Sequence, residues 1–168
     1  MFALLFPAAL RCQPSSPEPS RGGPSRADPA PTTQVSITTP RDSLRLQLEV
    51  PAQVPAGAPV PIVLRVTNTG PAARELYLRG RTVAFDVTIA REGGAVVWRR
   101  LDGQAIEAIV QLRVLQPGEA LTLEHRWDQR DRRGEPVAPG IYTVQGALLT
   151  DEPEPRRTTI RTLRITPR

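Results

Sequence analysis

Apolar and polar residues alternate with a period of two in short runs from Leu44 to the C-terminus. The run VPIVLRV, for example, places Val60, Ile62, Leu64 and Val66 on one side of an extended chain. Prolines and glycines separate the runs. In none of the runs do the apolar residues repeat with the 3.6-residue period of a helix. The pattern therefore predicts an all-β domain, an immunoglobulin-like antiparallel β-sandwich of about seven to nine strands.

Two of these runs carry expectations about individual faces. The run FDVTI is expected to turn its apolar residues towards the core and Asp86 outward. The run VQLRV has the same alternation, which predicts a further strand of the sandwich whose apolar face holds Val110, Leu112 and Val114.

The few aromatic residues have structural interpretations. Aromatic residues make up only 4% of the chain, and Trp98 and Trp127 are predicted to lie in the core, as a tryptophan does in antibody domains. Tyr142 follows Pro139 and Gly140 at the start of a late run. This context predicts a tyrosine corner, in which the hydroxyl group bonds to an upstream backbone group. The alternative is an inward-facing tyrosine with a solvated hydroxyl.

The N-terminal part has a different composition. Residues 1–12 are interpreted as a signal-like or anchor remnant, because MFALLFPAAL is apolar but shorter than the roughly 20 residues of a membrane span. Residues 13–43 are rich in proline and serine and are predicted to form a disordered linker before a domain at 44–168. Cys12 is either a lipidation site, which would tether the protein to a membrane, or an unmodified thiol. We expect an exported protein, secreted or envelope-tethered; the alternative location is cytoplasmic.

The residue types of the predicted domain argue against an enzyme. Residues 44–168 contain no serine, cysteine or lysine and a single histidine, which removes the usual nucleophile systems and zinc sites, and no cofactor is expected. Asp128, Asp131 and Glu135 are interleaved with arginines, which is typical of a solvated loop rather than a metal site. The same residues hold 18 arginines against 14 acids, a mixed surface on which nucleic-acid binding is not expected.

Three segments, taken in order, carry a resemblance. They are LRVTNTG, FDVTIAREGGAVVWRR and LQPGEALTLEHRWDQRDRRGEPVAPGIYTVQGAL, and they include Trp98, Trp127, Pro139, Gly140 and Tyr142. Over residues 46–149 the chain resembles the BsuPI-type intracellular proteinase inhibitor domain. The resemblance implies an immunoglobulin-like fold and, as an expectation, binding or inhibition of proteases.

Two functions remain open at this point. The first is a non-catalytic protein-binding module of the proteinase-inhibitor type, a monomer whose partner is a protein such as a protease. The second is a structural or accessory domain of a cell-envelope assembly. An inhibitor needs an exposed and rigid loop. The sequence contains two candidate loops and gives no reason to prefer one of them. The candidate contact residues are Arg99, Arg100, Asp102 and Gln104 in the loop at 99–107, and Arg130, Arg132 and Arg133 in the loop at 129–137.

Overall fold

The computed structural model describes residues 43–83 and 85–168, and these form eleven β-strands. The strands are β1 (Leu44–Glu49), β2 (Gln53–Pro55), β3 (Val60–Asn68), β4 (Arg74–Arg79), β5 (Phe85–Arg91), β6 (Val96–Arg99), β7 (Val110–Leu115), β8 (Ala120–Trp127), β9 (Gly140–Leu148), β10 (Arg156–Arg157) and β11 (Arg161–Thr166). Two of them, β2 and β10, are only three and two residues long. Among the described residues there is no helix that could cross a membrane.

The strands form three sheets. One sheet has the order β1-β3-β8, and both of its pairings are antiparallel. A larger sheet has the order β2-β11-β9-β5-β6, with β10 added beside β9; only its β2–β11 pair is parallel. Strands β4 and β7 form a separate antiparallel pair. The prediction of an all-β, sandwich-like fold is confirmed.

One hydrophobic core joins residues of all three sheets. Strand β3 contributes the face predicted from its alternation, and Val60, Ile62, Leu64 and Val66 are all fully buried. The largest buried side chains are those of Trp127 and Tyr142. Complete burial of an aliphatic side chain stabilises a fold by about 1.5–3 kcal/mol. With four such side chains, strand β3 is a main contributor to stability.

Asn68, at the end of β3, connects the three-stranded sheet to the β4–β7 pair. Its buried side-chain amide donates hydrogen bonds to the carbonyl oxygens of Leu115, at 2.9 Å, and Ala72, at 2.8 Å. Its Oδ1 accepts a hydrogen bond from Gly70 N at 2.9 Å. A buried amide of this kind is stable because its donors and its acceptor have partners.

Two sequence predictions about faces are wrong. Asp86 does not point to solvent: the residue is only 4% exposed. The apolar face of β7 is not part of the core, because the exposed fractions of Val110, Leu112 and Val114 are 51%, 56% and 40%. In β7 the polar residues Gln111 and Arg113 instead share a face with the buried leucines of β4.

The predictions for the N-terminal part cannot be followed in the structure. The anchor remnant at 1–12, with Cys12, and the linker at 13–43 lie outside the described residues, apart from Ser43.

Candidate protein-binding site

The two predicted contact loops lie side by side. Arg132 in the second loop forms an ion pair with Asp102 in the first, with 3.1 Å between Nε and Oδ2. The backbone N–H of Arg132 also donates to the carbonyl oxygen of Val97, at 3.1 Å. The two loops, separated by about 30 residues in sequence, therefore form one surface at the end of β6.

The buried carboxylate of Asp86 supports the beginning of the first loop. Its Oδ1 accepts hydrogen bonds from Val87 N at 2.9 Å and Leu101 N at 3.2 Å. Its Oδ2 accepts from Arg99 Nε at 2.9 Å and also contacts a terminal nitrogen of the same guanidinium. A buried carboxylate requires such partners, so Asp86 ties the backbone where β6 ends to β5.

Arg100 packs back onto the domain. Its guanidinium carbon lies 4.2 Å from the centre of the Phe85 ring, and its Nη1 donates to Phe85 O at 2.6 Å. Burial lowers the pKa of Arg100, and the negative charge of Asp86 partly opposes this shift. Both arginines were predicted as contact residues. The guanidinium group of Arg99 instead binds Asp86, and that of Arg100 packs on the ring of Phe85.

The following segment, Gln104–Ile109, differs from the rest of the loop. Every residue from 102 to 110 is exposed, and the backbone of residues 105–108 makes no hydrogen bond to any described backbone group. The segment is held at both ends: Gln104 N donates to Leu101 O at 3.2 Å, and Ile109 O accepts from Gly80 N at 2.8 Å. Arg81 also forms an ion pair with Glu107, at 3.0 Å. The segment is anchored at its ends, while its central N–H and C=O groups have no backbone partner in the described part of the chain.

The second loop is a compact turn. Asp131 N donates to Glu135 O at 2.8 Å, and Gly134 N donates to Asp131 O at 3.0 Å. The Asp131 carboxylate accepts from Arg133 N at 2.8 Å and from Glu135 N at 3.0 Å. Gly134 has a φ of +81°, which glycine adopts without steric cost. Arg130 donates to Gly134 O at 2.6 Å, so much of this loop's backbone is paired within the loop.

Gln129 is a structural residue that the sequence did not reveal. It is 2% exposed and has a φ of +59°. Its side chain accepts a hydrogen bond from Gly57 N at 2.8 Å and donates to the carbonyl oxygens of Pro55, at 2.9 Å, and Ala58, at 2.6 Å. It joins the second loop to the β2–β3 connection, a contact over more than 70 residues for which the sequence contains no local signal.

Four rings extend from the core to the edge of the sandwich. The Tyr142 hydroxyl donates to Ala138 O, four residues upstream, which is the contact of a tyrosine corner. Tyr142 meets Trp127 edge-on at 6.2 Å, and Trp127 lies 6.1 Å from Trp98. Trp98 stacks on His125 with 5.3 Å between ring centres. Pro139 directly precedes β9, and Gly140 is the first residue of β9 and lies opposite Ile165.

Burial lowers the pKa of His125 below its ordinary value of 6.5. The positive charge of Arg100 lowers it further, and the negative charge of Asp128 opposes the shift. No group of three or more His, Cys, Asp or Glu side chains among the described residues could hold a metal ion.

These observations define a β-sandwich module with two supported loops at one end. The chain belongs to the family described as BsuPI, intracellular proteinase inhibitor, which matches residues 44–153. The resemblance seen in the sequence is confirmed. No curated protein matches the chain.

Several solved structures are similar to parts of this chain at low identity. A β-glucosidase from Listeria innocua is 14% identical, and the match covers 73% of this chain and 16% of that chain with a TM-score of 0.41. The alkylpurine DNA glycosylase AlkC from Pseudomonas fluorescens is 19% identical, covering 73% of this chain and 30% of that one, with a TM-score of 0.41. A CARDB domain from Pyrococcus furiosus is 12% identical, covering 73% and 91%, with a TM-score of 0.40. This chain therefore corresponds to about a sixth of the β-glucosidase.

The family corrects one prediction. The apolar start and the linker at 13–43 led to the expectation of an exported protein, but the family is described as an intracellular proteinase inhibitor. This description contradicts export and agrees with the cytoplasmic alternative. The role as an accessory domain of a cell envelope depended on export and loses its basis.

Proposed function

We propose that this chain is a non-catalytic proteinase inhibitor that binds its protease through the segment Gln104–Ile109, with the turn at 129–137 beside it. The observation that carries the proposal is the unpaired backbone of residues 105–108, between two anchored ends. An extended segment with free N–H and C=O groups can pair with the backbone of another protein, as in strand addition.

Rigid support of the segment favours binding over cleavage. A segment that is already held in its bound conformation loses less entropy on association. Here the ends of the segment are held by the hydrogen bonds of Gln104 N and Ile109 O, and Asp86 fixes the preceding turn through Leu101 N. The Arg132–Asp102 ion pair joins the second loop to that preceding turn. The same restraint would keep the ends together if a protease attacked the segment, so that a cut would not release a product.

The exposed side chains of the segment indicate the chemistry of the partner. Ile106 and Ile109 are 39% and 40% exposed, and Glu107 lies between them. The segment contains no arginine, and Arg99 and Arg100 already have partners within the domain. We therefore expect a protease whose specificity pocket accepts an aliphatic side chain.

The test is an inhibition assay with the full chain against proteases of aliphatic and of arginine specificity. We expect inhibition of the first group, weakened about tenfold or more by Ile106→Asp, which corresponds to about 1.4 kcal/mol. Arg133→Ala, at the tip of the turn, tests the second loop and should change inhibition by less than about threefold. Inhibition lost with Arg133→Ala and retained with Ile106→Asp would assign the contact to the turn. No inhibition of any protease would refute the proposal.

A further inference from the structure

Strand β7 has one open edge. One of its edges pairs with β4 from Val110 to Leu115. The outer edge of β4 is covered, because Asp151 N donates to Tyr77 O at 2.9 Å and Arg79 N donates to Leu149 O at 3.2 Å. No described strand pairs with the outer edge of β7, which therefore ends this sheet.

The ladder shows which backbone groups face outward. Gly80 N donates to Ile109 O, so residues 109, 111 and 113 exchange hydrogen bonds with β4. The residues between them, Val110, Leu112 and Val114, direct their N–H and C=O groups away from β4. These groups have no backbone partner among the described residues. The open edge is thus formed by the three residues whose aliphatic side chains are exposed.

Natural proteins usually protect such an edge with charged residues, proline or a bulge. Strand β1, for example, also lies at the edge of a sheet, and its exposed side chains are polar, namely Arg45, Gln47 and Glu49. In β7 the corresponding positions are aliphatic, and Tyr77 on β4 lies opposite Leu112 and extends the same face. An open edge with an exposed aliphatic face of this kind is a template for an added strand.

We propose that the open edge of β7 binds β7 of a second copy of this chain, antiparallel, about a two-fold axis at Leu112. This register places Leu112 opposite Leu112 and Val110 opposite Val114. All three outward-facing residues of each strand then form hydrogen-bonded pairs, each exchanging two hydrogen bonds. A closed, symmetric pairing of this type is the commonest form of homo-oligomer.

Side-chain chemistry favours the same register. The aliphatic residues of both copies lie on one face, where cross-strand pairs stabilise a sheet by about 0.2–1 kcal/mol each. On the other face Arg113 lies opposite Gln111 of the second copy, so the two arginines do not face each other. Arg113 is also paired with Glu119 within its own chain, at 3.4 Å. In this register the backbone of the strand is complementary to itself, and no two like charges stand directly opposite each other.

The proposed dimer replaces the monomer expected from the sequence. It does not depend on the proposed function, because its surface is the strand and not the inhibitory segment. The segment Gln104–Ile109 runs directly into β7, however. A second copy on β7 would lie beside Ile109, so dimer formation and protease binding are expected to compete.

The test is sedimentation of the full chain from about 1 to about 500 μM, a range suited to a weak interface, with a reductant present to keep Cys12 from linking chains. The wild-type mass should rise from 18.4 kDa towards twice that value. Leu112→Lys and Leu112→Glu each place like charges at the two-fold axis and should stay monomeric. An equimolar mixture of the two variants should recover the dimer, because lysine then faces glutamate.

Ile160→Lys is the matched control, since it also replaces an exposed aliphatic residue by lysine and should leave the dimer intact. A wild-type chain that stays monomeric overturns the proposal. This holds also if the edge of β7 binds a segment of another protein or another part of this chain. Dimers that persist in both single Leu112 variants, or a mixture that stays monomeric, overturn the register. Protease inhibition in the Leu112 variants reports separately on the proposed function.

Discussion

Strands β3 and β7 have the same apolar alternation and opposite environments. In β3 the apolar residues Val60, Ile62, Leu64 and Val66 are completely buried, whereas in β7 Leu112 is 56% exposed. Strand β3 lies between β1 and β8 and contributes to the shared core. Among the described strands β7 pairs only with β4, and its polar residues lie on the same face as the buried leucines of β4.

The difference shows what alternation can and cannot specify. A period of two identifies a strand and divides its residues between two faces. Which face is covered depends on the neighbouring strands, and these are set by pairings far apart in the sequence. In β7 the inward-facing Gln111 donates to Gly80 O and Arg81 O, so the polar face is accommodated by hydrogen bonds to the loop after β4.

The largest expected effect compares the two strands directly. Leu64→Ala in β3 should lower the free energy of unfolding by about 2–5 kcal/mol, because it leaves a cavity in the core. Leu112→Ala in β7 should change it by no more than about 0.5 kcal/mol, because the side chain is largely exposed. Urea denaturation at low protein concentration measures both, with Leu64→Met as the volume-conserving control. Equal losses in the two alanine variants would show that β7 is part of the cooperative core.

Much of the fold could be predicted from the sequence. The runs of β1, β3, β5, β8 and β9 are all strands, and the aliphatic core follows from their alternation. The sheet order could not be predicted, since β5 pairs with β9 and β3 with β8 over long sequence separations. The burial of Asp86 was missed for the same reason: its partners, Arg99 and Leu101, lie in another strand and its loop.

The sequence also located the two candidate loops but could not distinguish them. An arginine count does not reveal that Arg99 is bound to Asp86 or that Arg100 covers Phe85. The compact form of the second loop depends on local hydrogen bonds of Asp131, for which Asp before an Arg-Arg-Gly turn is a weak signal. The open backbone at 105–108 becomes visible only once the neighbouring strands are placed.

A smaller effect is expected at Tyr142, where the change removes a single hydroxyl group from a buried ring. The ring is fully buried like the side chains of β3, and its hydroxyl donates to Ala138 O. Tyr142→Phe should therefore cost about 0.5–1.5 kcal/mol, the net value of one hydrogen bond. Tyr77→Phe is the control, because the Tyr77 hydroxyl is exposed and donates to Glu75. Equal urea midpoints for wild type and Tyr142→Phe would show that the hydroxyl contributes nothing.

The smallest effect is expected at His125, which lies between the two extremes. It is opposite the buried Ile62 of β3 but is itself only partly buried, in the outer strand β8. Burial and Arg100 lower its pKa, with Asp128 opposing, so below about pH 6.5 the unfolded chain takes up a proton more readily than the folded one. Stability should therefore be complete above that pH and fall as the pH decreases towards the folded-state pKa. The variant His125→Gln lacks this titration. The carboxylates titrate in both the wild type and the variant, so their effect on stability is the same in the two proteins. We expect the urea midpoint of the wild type to fall more than that of the variant between pH 7.5 and 5.5. Parallel curves would show that His125 titrates alike in the folded and unfolded states.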